Sequence, residues 1–255
     1  MALDVLLGIS LQSAIILFLV AILAGFINAI AGGGGLLSIP ILMWVGLPPA
    51  TVLATNKLQA CGGSFFASYY FVRQGIIKLG EIKLSIFCAF TGSVLGTIAV
   101  QKIDAAILES ILPFLILAIG GYFLFSKKIT AVDNKQILTP TVFAFTFALC
   151  IGFYDGFFGP GTGSFLTLAF VSLAGHNLIK ATAHAKVLNF SSNIAALLSF
   201  SLAGNVMWLL GGCMLIGQAI GATLGSKLVI NQGCRFIRPL MVIMSIALSA
   251  KLLFT

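Results

Sequence analysis

The sequence predicts an all-α polytopic membrane protein built from two homologous, inverted repeats, with about eight full transmembrane helices and two short, broken half-helices. Three observations predict it. Of the 255 residues, 60% are hydrophobic and only 8% charged, whereas a soluble domain is about a quarter charged. Apolar runs close to the roughly 20 residues that span a bilayer follow one another along the chain. A glycine-rich interruption, GFINAIAGGGGLLSIP from Gly25 to Pro40, returns as GFYDGFFGPGTGSFL from Gly152 to Leu166.

The apolar segments fall at 11–31, 36–47, 52–72, 82–101, 107–125, 139–158, 162–174, 183–203, 205–225 and 236–254. The first has only Asp4 ahead of it, without a basic region, and more apolar segments follow at once. It therefore reads as the first transmembrane helix and not as a secretory signal. Most of the rest approach spanning length. The segments 36–47 and 162–174 are too short, and each directly follows a glycine-rich stretch.

Sliding the chain by 127 residues sets Gly25, Phe26, Asn28, Gly32 and Gly34 on Gly152, Phe153, Asp155, Gly159 and Gly161. The same offset sets Ala54-Thr55 on Ala181-Thr182, and a small gap brings Lys57 onto Lys186. Gly92-x-x-x-Gly96 is echoed by Gly217-x-x-x-Gly221-x-x-x-Gly225, spacings that allow close helix packing. These matches divide one membrane unit into a first repeat, 1–128, and a second, 129–255. The GxxxG patterns serve packing within the chain as readily as a homodimer.

Basic residues set the sense of the repeat. If each short segment counts as a crossing, each half has five. Arg73, Lys78, Lys83, Lys127, Lys128, Lys135, Lys180, Lys227, Arg235 and Arg238 then share one side, and only Lys102 and Lys251 lie on the other. Cytoplasmic loops are the basic ones, so that side is cytoplasmic, and an odd number of crossings inverts the second repeat. A twelve-residue helix rises only about 18 Å, so the short crossings require burial in protein and completion by non-helical chain. Broken helices in inverted repeats point to the substrate site of a secondary transporter.

The glycines then have a purpose. They let two backbones approach and unwind in mid-membrane, offering amide N–H groups and the positive end of a short helix to an anion. The plainer alternative is tight packing or a re-entrant turn. The net charge of +8 belongs to these loops, and without a basic, aromatic-interleaved polar face it does not indicate nucleic acid. Cys61, Cys88, Cys150, Cys213 and Cys234 are scattered without a CxxC pair, which reads as small apolar thiols and not a metal or redox site. No cofactor is expected. The glycine run lacks a GK[ST] ending, and no HExxH, paired carboxylates or Ser–His–Asp set occurs, so catalysis has no support.

AGFINAIAGGGGLLSIP followed by ATNKLQACGGS (Ala54 to Ser64) resembles the sulfite exporter TauE/SafE family, also called the toluene-sulfonate uptake permease family. GFYDGFFGPGTGSF with KATAHAKVLNFSSN (Lys180 to Asn193) resembles its YfcA-type branch. The resemblance covers essentially the whole chain. It implies a cytoplasmic-membrane transporter for small sulfur-containing or organic anions such as sulfite, sulfonates and sulfoacetate.

Candidate substrate-binding residues follow from depth and position. Lys57 has Thr55, Asn56 and Gln59 beside it, and Lys186 has His184 and Asn189. Ionisable groups inside the membrane tend to be functional, and these would complement an anion; the alternative is snorkelling to the interface. Asp155, deep in an apolar segment, is placed to pair with Lys186, to accept a proton in coupled transport, or to hydrogen-bond the glycine turn; Asn28 is its counterpart. His184 is either titratable or a packing residue, and His176 is expected to be solvated. Gly33, Gly34, Gly161, Ser38, Thr162 and Ser164 stand at the short-helix starts, as anion donors or as ordinary caps. The partners expected are a small anion and the lipid bilayer. The leading function is a secondary transporter; an anion channel on the same scaffold, or a membrane enzyme or scaffold protein, are the alternatives.

Overall fold

The computed structural model describes residues 10–104, 106–108, 110–111, 114 and 135–232. The expected segment 236–254 and most of 107–125 lie outside the described residues, as do Lys127, Lys128, Arg235, Arg238, Lys251 and Cys234. Every regular element described is helical.

In chain order these are α1 (Leu11–Ala31), α2 (Gly34–Trp44), α3 (Pro49–Arg73), a 3-10 turn (Leu79–Ile82) leading into α4 (Lys83–Gln101), α5 (Pro140–Phe157), α6 (Thr162–Ser172), α7 (Leu178–Leu202) and α8 (Trp208–Gln232). Local chemistry sets their ends. Ser10 caps α1, Thr139 caps α5 ahead of Pro140, and Asn177 caps α7, each side chain accepting from a backbone N–H one turn on. Within α5, residues Ala144–Ala148 form a π-helical stretch.

Among the described residues, four stretches are long and apolar enough to cross a membrane: Gln12–Ala31, Leu79–Gln101, Pro140–Phe157 and Trp208–Asn231. Large apolar side chains such as Leu19, Phe87, Leu95 and Leu224 stand exposed along them, as a lipid solvent requires. The two 25-residue helices α3 and α7 are long enough to span but carry the buried polar residues, so they lie against other helices.

Packing registers reveal direction. Gly217, Gly221 and Gly225 of α8 meet Phe18, Ile22 and Phe26 of α1 in turn, at backbone contact. Leu58 and Gly62 of α3 meet Gly211 and Leu215 of α8 in turn. Helices α1, α3 and α8 therefore run the same way. Gly92 and Gly96 of α4 likewise meet Leu149 and Phe153 of α5, so that pair is also parallel. The few residues between Arg73 and Leu79 cannot recross a bilayer of about 30 Å, so α3 and α4 run in opposite directions.

Both short helices fold back along the helix before them. The Tyr154 and Phe165 rings lie 5.4 Å apart and those of Phe143 and Phe170 4.6 Å, an antiparallel register for α5 and α6. Gly34 of α2 sits against Ala24 and Asn28 of α1, and Leu17, Ala21, Leu36, Ile39 and Leu42 share one apolar core. A second core gathers around the α5–α6 hairpin, with Phe143, Ala148, Leu166 and Phe170. The sequence treats each short segment as a crossing completed by irregular chain. A hairpin that enters and returns leaves the chain on the same side as two crossings would, so the loop sides deduced from charge are unaltered.

Candidate functional site

The two hairpin tips meet. At the first, Gly32 ends α1 in the left-handed region (φ 75°), its N–H donating to the Asn28 carbonyl at 2.8 Å. At the second, Gly161 (φ 82°) begins α6. Glycine is the residue that adopts these angles without strain. A Cβ on Gly32 would collide with the backbone of Gly163 and Ser164. The Ser164 hydroxyl donates to the Ala31 carbonyl, fastening the start of α6 to the end of α1.

Two lysines point at this junction from α3 and α7, and each reaches the opposite half. Lys57 Nζ donates to the backbone carbonyl of Asp155 and to its carboxylate Oδ1 at 2.8 Å. Lys186 Nζ donates to the backbone carbonyl of Asn28. Their side chains are 1% and 0% exposed. That excludes snorkelling, because both ammonium groups end on buried carbonyls instead of at a surface. The Asp155–Lys186 pairing considered from the sequence is likewise replaced by Asp155–Lys57, because the helices of the two halves interleave. Among the described residues no carboxylate lies within 4.0 Å of Lys186.

The Asp155 carboxylate also accepts from Thr162 Oγ1 at 2.9 Å, from Asn189 Nδ2 at 3.3 Å and from Ser192. Ser38 donates to Asn56 Oδ1 at 2.8 Å, and Gln59 donates to the same oxygen at 3.0 Å. Asn28, Gly32, Gly35, Asn56, Lys57, Ala60, Asp155, Gly159, Asn189, Asn193 and Gln218 enclose a cavity of about 20 Å³, the space of about one water. Among the described residues no three metal-ligating side chains cluster.

A sequence profile of the sulfite exporter TauE/SafE family matches residues 17–252. The chain belongs to that family. It is 54% identical over 239 residues to the probable membrane transporter protein YfcA of Escherichia coli K12, covering 94% of this chain and 89% of the relative. A probable membrane transporter protein of Haemophilus influenzae is 52% identical over 239 residues, 94% of each chain. Sulfite exporter TauE/SafE family protein 1 of Arabidopsis thaliana is more distant, 27% identical over 95 residues, 37% of this chain and 21% of the relative. No solved structure matches. The chain is thus a multi-pass membrane protein of a transporter family.

Most of the sequence candidates in this TauE/SafE chain converge on the junction: Asn28, Ser38, Asn56, Lys57, Gln59, Asp155, Gly161, Thr162, Lys186 and Asn189. Gly33 and Gly34 form the first turn, Gly34 packed on α1. Thr55 faces the α7–α8 connection, accepting from the Met207 N–H at 3.3 Å. His184 stands apart, in a second cavity of about 150 Å³ with Glu81, Gln136, His176 and Lys180. Its Nδ1 donates to the Lys180 carbonyl at 2.7 Å. His176, expected to be solvated, is half-buried, its ring 4.7 Å from His184 and stacked on Phe170.

Ser192, Asn193 and Gln218 join the site without having been singled out. Lys186, Asn189 and Asn193 recur at i, i+3 and i+7, one face of α7, so that spacing was available as a signal. Gln218 is a buried amide in an otherwise small and apolar stretch of α8.

Proposed function

We propose that this chain is a secondary transporter of a small anion, of the class of sulfite, sulfonates and related organosulfur anions. It works by alternating access of two inverted halves in the bacterial cytoplasmic membrane, with the basic loops inside. The observation that carries this reading is the buried junction where two glycine-broken hairpins meet under two lysines, only one of which has a carboxylate partner among the described residues. A buried cation at mid-membrane is costly unless paired, and an arriving anion supplies the missing partner. The opposed directions of α3 and α4, with α1 and α8 following α3 and α5 following α4, support the inversion.

The cavity has room for about one water, so substrate enters as the hairpin tips part. That separation is the motion alternating access supplies. Gradients drive it and set its direction.

The test is flux of labelled sulfite and several small sulfonates in proteoliposomes, with and without a pH gradient. Saturable uptake accelerated by unlabelled anion on the far side, and lost in Lys57→Ala/Lys186→Ala, is the expected result. A response to the pH gradient adds proton coupling. Unsaturable flux without countertransport means an anion channel, and no flux of any tested anion removes the transporter reading.

A further inference from the structure

The two half-sites match in position and differ in chemistry. We propose, building on the transporter reading, that Asp155 is a resident anion filling one half-site, and that the transported anion binds the other, beside Asn28 and Lys186, as one monoanion per chain.

The correspondence is read from contacts. Lys57 reaches the carbonyl of Asp155, and Lys186 reaches the carbonyl of Asn28. Around the Asp155 carboxylate stand Lys57, Thr162, Asn189 and Ser192. The corresponding places around Asn28 are taken by Lys186, Gly35, Ala60 and Gly63. The cation is kept. The carboxylate has become a neutral amide, and every other donor has shrunk to glycine or alanine.

At Gly35 and Ala60 the small residues leave space, whereas at Gly63 the Gln218 side chain takes it, since a Cβ there would collide with Gln218 Oε1. Asn28, Gly32, Gly35 and Ala60 line the cavity with Lys57, Asp155 and Gly159, facing the amides of Asn56, Asn189, Asn193 and Gln218. Lys186 is not in its wall but reaches the backbone carbonyl of the lining residue Asn28. A Cβ on Gly35 would stand 3.4 Å from Pro160 Cα and 3.6 Å from Asn56 Nδ2, ordinary contact distances. Gly35 is therefore not demanded by close packing, unlike Gly32. Amides donate hydrogen bonds without adding charge, which suits oxyanion recognition by neutral groups around one cation.

Charge then selects the ligand. Lys57 and Asp155 cancel, and Lys186 leaves one positive charge among the described residues of the site. Burial of net charge in a bilayer is unfavourable. A monoanion brings the occluded site to neutrality, whereas a dianion overshoots it.

The experiment is equilibrium binding of labelled methanesulfonate to the purified full chain, with competition by ethane-1,2-disulfonate and a thermal unfolding curve for each variant. Expected are one methanesulfonate per chain and a disulfonate weaker by about ten-fold or more. Asn28→Asp, a tethered carboxylate beside Lys186, should weaken binding by about ten-fold or more while leaving the unfolding temperature unchanged or higher. Gly35→Ala, whose methyl group fits, should also weaken binding and serves if Asn28→Asp fails to fold. Wild-type binding retained within a factor of about two in both variants, two anions per chain, a preferred dianion, or no methanesulfonate binding overturns the inference. Saturable anion flux alongside any of these leaves the transporter reading standing; loss of all flux removes both.

Discussion

Lys57 and Lys186 occupy matching places on α3 and α7, and their different surroundings give different consequences on mutation. Asp155→Ala strands Lys57 as an uncompensated buried cation, so it should destabilise the protein by about 3–5 kcal/mol. Lys186→Met removes a cation that has no carboxylate partner among the described residues, so stability should hold or rise while anion flux disappears. Thermal unfolding of the purified variants, set beside their flux, checks both. A Lys186→Met variant that loses as much stability as Asp155→Ala would mean Lys186 is structural. The lysines were legible in the sequence because charges inside apolar segments stand out. Their partners were not, since pairing Asp155 with Lys57 depends on helices of opposite halves interleaving, which no local pattern encodes.

At the scale of elements, the broken hairpins depend on glycine for two separable reasons. Gly46 has φ 87° and nothing within 4 Å of where a Cβ would stand. Gly46→Ala should therefore cost only the left-handed backbone penalty, about 1–2 kcal/mol. Gly32 shares that conformation but lies against the Gly163 backbone. Gly32→Ala must push the hairpin tips apart, and should cost clearly more and abolish flux, as unfolding curves and transport together will show. Equal effects of the two substitutions would contradict the contact between the tips. The positions of both breaks were readable from glycine runs followed by short apolar segments. Their geometry was not: an eleven-residue helix reads the same whether it continues across or turns back, and aromatic pairs such as Phe143–Phe170 decide that only in three dimensions. The π-helical stretch at Ala144–Ala148 had no sequence signal.

For the whole molecule, loop charge and helix direction lead to one topology. The turns at Gly75 and Gly175 should face the cytoplasm, and those at Gly46 and Gly204 the opposite side. Single cysteines placed at these four glycines in a cysteine-free background should separate cleanly. A membrane-impermeant thiol reagent should label the Gly46 and Gly204 variants in intact cells, and the other two only after permeabilisation. Labelling of Gly75 and Gly46 variants from the same side would break the inverted arrangement. The 127-residue offset between the two glycine-rich stretches is visible in the sequence, but the packing of α8 on α1 and of α4 on α5 emerges only in three dimensions.

The central claim is that an anion binds where the hairpin tips meet and neutralises Lys186. The most direct measurement is binding of labelled methanesulfonate to wild type and to Lys186→Met, both shown to be folded by their unfolding curves. Saturable binding to wild type that falls by about 2–5 kcal/mol of affinity in Lys186→Met is the predicted result. Equal binding by the two proteins would contradict it.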